Sequence, residues 1–287
     1  MTEAKKQSVS VRTRKATAMA AMYIILVLAC LLVIFPFSIV VSTSLKTYAD
    51  TFKIPFTYFP GYVTFEGYGH ILGDGSFWNG LKNTFIVVIP GMVSGIFFSS
   101  FAAYGFAKIK FRGRGILFTY LMFTMMIPSV IIMSPAYVLY DMLAWTDTYL
   151  PLILPHALGT VSCIFYLRQF FYGIPDELLE AAQIDGLGKI GIFFYIMLPL
   201  GKVAVIAQTI LWFIGGYNEY FSALLYLNTE SMFTVQLVLK QMVGSGADGH
   251  WDYIMACAML IMIPLLLLYI FAQRFLVEGI ATTGLKE

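Results

Sequence analysis

Ile174-Pro175-Asp176-Glu177-Leu178-Leu179-Glu180-Ala181-Ala182-Gln183-Ile184-Asp185-Gly186 is a polar island between two apolar segments, each long enough to cross a membrane. Pro175 suits a helix start, because its φ is already helical and its missing N–H is one a first turn leaves unpaired. Asp176 and Glu177 place negative charge where a helix N-terminus is positive. Leu178 to Gln183 are compatible with a helix, and Gly186 is a natural left-handed stop. The stretch predicts a helix of about ten residues, roughly 15 Å long, too short and too charged to span a bilayer. A second apolar run, Ile190 to Met197, follows and is expected to stop at Leu198-Pro199.

The surrounding composition puts this island in a membrane protein. Charged residues make up 12% of the chain and hydrophobic residues 59%, with a mean hydropathy of +0.80. Soluble domains carry about 25% charge. Cys30, Cys163 and Cys257 lie inside apolar runs, and neither a disulfide framework nor a Cys/His metal spacing is present. The predicted fold is all-α and integral to the membrane, with six spans and a helix-turn-helix between spans four and five. A polar, basic tail over residues 1–16, expected to fray, leads into a membrane domain over 17–275, and residues 276–287 form a second tail. The spans are expected at 17–41, 80–107, 115–140, 150–171, 201–227 and 253–275. Span two is rich in Gly, Ser and Ala, the residues that let membrane helices approach closely. Span three is interrupted by Pro128 and Pro135, and residues 42–79 and 228–252 are read as outer loops.

Basic residues orient the chain. With the N-terminus inside, 14 of the 18 Lys and Arg residues fall on the cytoplasmic side, leaving only Lys46, Lys53, Lys82 and Lys240 outside. The positive-inside rule therefore predicts that both termini and the 172–200 loop are cytoplasmic.

Glu180-Ala181-Ala182, Gly186 and then Ile196-Met197-Leu198-Pro199 resemble the cytoplasmic loop through which ABC importer permeases couple to their ATPase. The resemblance extends from about residue 36 to the end and points to the carbohydrate-type, maltose-importer-like permeases. Ser42-Thr43-Ser44-Leu45-Lys46 and Phe59-Pro60 are similar to that family's first outer loop. Met126-Ile127-Pro128 and Tyr166-Leu167-Arg168-Gln169-Phe170-Phe171 match its third and fourth spans. Tyr217-Asn218-Glu219-Tyr220 resembles its Trp-Asn-Glu-aromatic in span five. Gln273 to Gly279 and Thr282-Thr283-Gly284 resemble its C-terminus. The departures are Tyr217 in place of Trp and Gly188 where a Ser or Thr helix cap is common.

The resemblance implies a prokaryotic inner-membrane permease subunit, smaller of a pair, importing a carbohydrate such as an oligosaccharide. It implies a second permease, two ATPase subunits and an extracytoplasmic sugar-binding protein as partners, alongside membrane lipid and no nucleic acid. Coupling would fall to Glu177, Glu180, Ala181, Ala182, Asp185, Gly186, Leu198 and Pro199. The cargo pathway would include Tyr217, Asn218, Glu219 and Tyr220, and Gly244, Ser245, Gly246 and Asp248 would meet the binding protein. If span five is one helix, Asn218 and Glu219 lie some 27 Å above Lys202, in the outer part of the membrane. There Glu219 either lines a polar path or reaches the outer interface, with the tyrosines in an aromatic belt.

Other chemistry is poorly supported. No Gly-Lys-Ser/Thr phosphate loop is present, so ATP and Mg are expected in the partner ATPase and no cofactor on this chain. His70, His156 and His250 share no ligand spacing. Gly73-Asp74-Gly75 falls in an outer loop without a second intramembrane Asp, so an intramembrane enzyme is disfavoured. A glycerol-phosphate or polyol permease remains the alternative within the transporter class.

Overall fold

The computed structural model describes residues 2–245 and 249–284, and every regular element among them is helical. The chain forms two compact units, Met1–Gly73 with Ser245–Leu260, and Asp74–Gly244 with Ile261–Glu287.

The first unit begins with α1 (Thr2–Ser44), of which Thr17–Ser44 is long and apolar enough to cross a membrane. Residues 2–16 continue this helix instead of fraying, because an existing helix is extended at one hydrogen bond per residue. Its end is locked by the Ser42-Thr43-Ser44-Leu45-Lys46 stretch. The Ser44 hydroxyl pairs with that of Tyr68 at 2.8 Å, and the Ser42 hydroxyl donates to the Tyr58 carbonyl. Lys46, only 1% exposed, donates to the Thr57 carbonyl and sits 4.2 Å from the Phe56 ring centre. Burial pulls its ammonium below the usual lysine range, against the raising pull of Asp50. These few polar groups pin the segment that carries α2 (Tyr48–Thr51) and leads to α3 (Glu66–Gly73).

In the second unit, α4 (Gly75–Lys108) starts five residues earlier than expected, because Asp74 caps it by accepting from the Ser76 amide at 2.9 Å. Gly73-Asp74-Gly75 is therefore a helix stop, a cap and a helix start. The span expected at 115–140 is two helices, α5 (Arg114–Thr124) and α6 (Ser129–Met142), bent by 91° before Pro128. Pro135 stays inside α6. The next span divides into α7 (Leu150–Ala157) and α8 (Val161–Tyr172) at Gly159, whose φ is +99°.

The polar island forms α9 (Asp176–Ile184), followed by α10 (Lys189–Ile192), a π-helical turn over Phe193–Met197 and α11 (Leu198–Leu200). Pro199 does not stop this limb. The wider π turn relieves the clash between the proline ring and the carbonyl four residues earlier. The corner comes at Gly201, where α12 (Lys202–Asn218) departs at 78°. Span five does not continue as one helix to Leu227, because α12 ends at Asn218 and α13 (Phe221–Tyr226) restarts after Glu219-Tyr220. The 228–252 segment is also more than a Gly-rich loop, containing α14 (Val235–Gly244) with Val235, Leu237 and Val238 buried. Asn83 on α4 donates to the Ser231 and Phe233 carbonyls at 2.8 and 3.0 Å, and the Thr84 hydroxyl accepts from the Val235 amide at 2.9 Å. The last helix, α15 (Trp251–Gly284), extends beyond the expected span.

Four helical stretches among the described residues are long and apolar enough to cross a membrane, or six if each bent pair is one span. Helix α4 is the post against which α7, α8, α12 and α14 pack. Gly95 is its closest approach, since a Cβ there would lie 2.4 Å from the Trp212 ring and 2.5 Å from the His156 carbonyl oxygen.

The Gly201 corner is equally tight: a Cβ would lie 2.4 Å from the Phe171 ring and 2.9 Å from the Met197 carbonyl oxygen. Gly201→Val should cost about 1–3 kcal/mol of stability. Gly215→Ala, where a Cβ meets nothing within 4 Å, should cost nothing. Thermal unfolding in detergent distinguishes them, and equal midpoints would contradict close packing at the corner.

Candidate functional site

Two features of the second unit concentrate chemistry. The first is the polar loop after α8. Lys108, the last residue of α4, reaches across to it, its ammonium bonding Asp176 Oδ1 at 2.6 Å and donating to the Ile174 carbonyl. The Tyr104 hydroxyl donates to the Lys189 carbonyl at 3.1 Å, so both limbs of the loop hang from α4. The count of basic residues put Lys108 on the cytoplasmic side and gave it no such task.

Helix α9 has two faces. Leu179 and Ala182 turn inward, 7% and 5% exposed, against the core that includes Ile192, Phe193 and Met197. Glu177, Glu180, Ala181, Asp185 and Gly186 are exposed, Leu198 is half-buried and Pro199 exposed. Ala182, expected on the coupling face, is instead buried, and its small side chain permits close packing within this chain. Ile184, 87% exposed, joins the outward face and was missed. Leu179 and Ala182, three apart, mark the buried stripe, which leaves 177, 180, 181 and 184 outside. Gly186 has φ +91° as predicted, and the Leu187 amide bonds the Ala182 carbonyl at 2.9 Å, closing the helix end. Gly188 caps α10 without a side-chain hydrogen bond.

The second feature is a cavity of about 270 Å³ lined by α4, α7, α12, α13 and the linkers beside them. Its polar or aromatic lining includes Thr84, His156, Thr160, Trp212, Glu219 and Thr234. Of the four residues expected on the cargo path, Glu219 is the one that lines this cavity. Its backbone leaves the helix at ψ 117°, and its carboxylate accepts from the Ser222 amide at 2.8 Å, starting α13. Tyr217 is a correction: it is fully buried, stacks on Phe213 and donates its hydroxyl to the Ile261 carbonyl at 3.0 Å. Its hydroxyl is thereby committed to the protein, so it holds helices together and does not face a path. Asn218 is exposed and accepts from Gln236 at 3.3 Å, while Tyr220 is exposed with its ring edge-on to Phe221. Trp212 was overlooked, although its spacing of seven from Glu219 puts both on one helix face. His156 was set aside for lack of a ligand partner, yet a lone ionisable group in a span is itself a signal.

Of the residues expected to meet a binding protein, Gly244 ends α14 and Ser245 follows in a turn. Gly246 and Asp248 lie outside the described residues. Within the first unit, His70 and His250 stack on Tyr253, at centroid distances of 4.5 and 4.4 Å.

The sequence profile described as "Binding-protein-dependent transport system inner membrane component" matches residues 95–282. An arabinooligosaccharides transport system permease protein of Halalkalibacterium halodurans is 32% identical, over 79% of this chain and 81% of its own length. An sn-glycerol-3-phosphate transport system permease protein of Yersinia enterocolitica is 31% identical, over 90% of this chain and 94% of its own. Among solved structures, a chain of a bacterial ABC transporter involved in the import of the acidic polysaccharide alginate superposes with a TM-score of 0.80. It is 24% identical and covers 92% of this chain and 97% of its own, a likeness of fold.

The Lys108 hydrogen bond, followed by its charge, holds Asp176 below the usual carboxylate range. A depressed pKa means that the anchor is fully present above the ordinary carboxylate pKa of about 3.9 and is lost as pH falls through the lower folded value. Hydrogen exchange of α9 amides should therefore accelerate only well into acid, and Lys108→Met should produce the same acceleration at neutral pH. Unchanged protection in the variant would show that Lys108 does not hold the helix.

Proposed function

The chain belongs to the family of binding-protein-dependent transport system inner membrane components, and from that premise we propose how its two sites divide the work of an ATP-driven carbohydrate importer. It is a multi-pass membrane permease subunit and not an enzyme. Its cargo is a carbohydrate, most simply an oligosaccharide. ATP and Mg bind a partner ATPase, present in two copies, which docks on the outward face of α9 from the cytoplasm. A second permease completes the membrane pathway, and a sugar-binding protein delivers cargo from the opposite side near Gly244 and Ser245. The distribution of Lys and Arg supports both termini lying in the cytoplasm.

The observation that carries the coupling assignment is the outward face of α9. Glu177, Glu180, Ala181 and Ile184 project from a helix whose other side is packed and whose start is held by Lys108. A polar stripe with a bare isoleucine, outside the apolar spans, suits a protein cleft better than water. Closure of the ATPase pair would draw the loop with it. The 17-residue α12, about 25 Å long, starts at the loop's Gly201 corner and ends at the cavity's Glu219. Displacing one end of such a rod displaces the other, which gives alternating access a mechanical route. The relative that carries sn-glycerol-3-phosphate, matched over 90% of this chain, makes a polyol phosphate the second reading.

Gly186 tests the coupling. No atom lies within 4 Å of a Cβ there, so any cost is backbone strain. Gly186→Val should weaken ATPase retention and abolish uptake, Gly186→Asn should keep most of both, and Ile184→Asp should lose retention with α9 intact. Copurification with uptake reads all three. Full retention and transport in Gly186→Val and Ile184→Asp would remove the loop from the mechanism.

Orientation has its own test. In intact cells, cysteines near Arg112 and Gln183 should resist membrane-impermeant thiol reagents, whereas cysteines near Asp74 and Ser245 should react. The opposite pattern would invert the topology.

A further inference from the structure

The cavity beside Glu219 has a charge character that neither coupling nor family membership requires. Among the described residues its lining contains one carboxylate, Glu219, one imidazole, His156, and no lysine or arginine. The hydroxyls differ in availability. Thr84 donates to the Gly80 carbonyl at 2.8 Å and accepts from Val235, so it is committed to the backbone. The Thr160 hydroxyl accepts from the Cys163 amide at 3.4 Å. Thr234, 5% exposed, carries a hydroxyl with no hydrogen-bond partner among the described residues. Thr234 lines the cavity with its other atoms, and its buried hydroxyl oxygen is not offered to the open space.

Trp212 supplies the apolar surface. Its indole is edge-on to the His156 ring, 6.4 Å between centroids at 82°, and is wedged against Gly95. An immobilised indole beside a carboxylate suits a ligand with one apolar C–H face and a rim of hydroxyls. At about 270 Å³, the space falls just below the roughly 300–1,000 Å³ of pockets for drug-sized ligands. A phosphate or uronate would bring a second negative charge to Glu219, where low dielectric magnifies repulsion.

We propose that this cavity is a subsite for one uncharged sugar ring, stacked on Trp212 and hydrogen-bonded by Glu219, and that it discriminates against anionic cargo. The subsite rests on the reading of the chain as a carbohydrate permease and narrows its substrate class. Selection is thus built into the permease itself, in addition to any made by a binding protein.

The test uses the whole importer complex in lipid nanodiscs without the binding protein. The probes are a neutral trisaccharide carrying a photoreactive diazirine and the matching triuronate. The neutral probe should label peptides containing Trp212 or Glu219, with half-saturation at a concentration lower than the triuronate by roughly tenfold or more. Gly215→Leu, which places a side chain in open space on the cavity wall, should abolish that labelling without lowering the thermal midpoint. Glu219→Gln should bring the triuronate to within about threefold of the neutral probe. Equal or stronger labelling by the triuronate in the unmodified complex, or undiminished labelling in Gly215→Leu, would overturn the subsite. Uptake by the complete system separates the two readings. Neutral-sugar uptake with labelling elsewhere removes only the subsite, whereas uptake of glycerol phosphate but no saccharide removes the carbohydrate reading as well.

Discussion

Inside a bilayer a backbone amide that leaves its helix finds no water, so each break in a span needs a partner within the protein. That constraint shapes most of the second unit. At the α7–α8 break the Gly159 amide bonds the His156 carbonyl, and the Thr160 amide reaches the Ser99 hydroxyl on α4 at 3.1 Å. At the α5–α6 bend the Met125, Met126 and Ile127 amides fall back on the preceding turn. At the end of α12 the Glu219 amide bonds the Gly216 carbonyl, while its carboxylate receives the Ser222 amide in the first turn of α13. Two of these satisfied breaks border the cavity, so the irregular backbone and the polar site are one piece of construction.

The loop is held by a different economy, polar contacts to carbonyls at the ends of helices. Lys108 is favourably placed at the C-terminus of α4, where cations oppose the helix dipole, and from there it bridges to Ile174 and Asp176. Arg168 works nearby, donating to the Phe106 carbonyl at 3.2 Å and lying 4.0 Å from the Phe118 ring centre. A basic residue that sequence statistics assign to topology can therefore carry a specific bond as well.

What could be read from the chain alone follows from how local each signal is. Pro175, the acidic first turn and Gly186 act through their own backbone, and α9 forms where they place it. The apolar runs were equally legible, because length and hydropathy suffice for a span. The breaks were less so: Pro128 announces one, but Gly159 acts through the Ser99 hydroxyl sixty residues away. Pro199 misled because its usual effect assumes regular α geometry before it, and the π turn at Phe193–Met197 removes that assumption. Tyr217 misled because an aromatic beside a carboxylate looks the same whether its hydroxyl meets a ligand or the Ile261 carbonyl. At the cavity only Glu219 was found, since His156 and Thr234 reach it from segments distant in sequence.

The π turn has one more consequence, for length variation. A π turn is an α-helical path carrying one surplus residue, folded out as a bulge. A chain lacking one residue between Phe193 and Met197 would close the bulge and return Pro199 to regular α geometry, with its ring against the carbonyl four residues earlier. The surplus residue and Pro199 are thus a matched pair, and a deletion in this limb should bend it before the Gly201 corner. Removing a residue from the uninterrupted helix of α12 would instead rotate everything beyond it by about 100°.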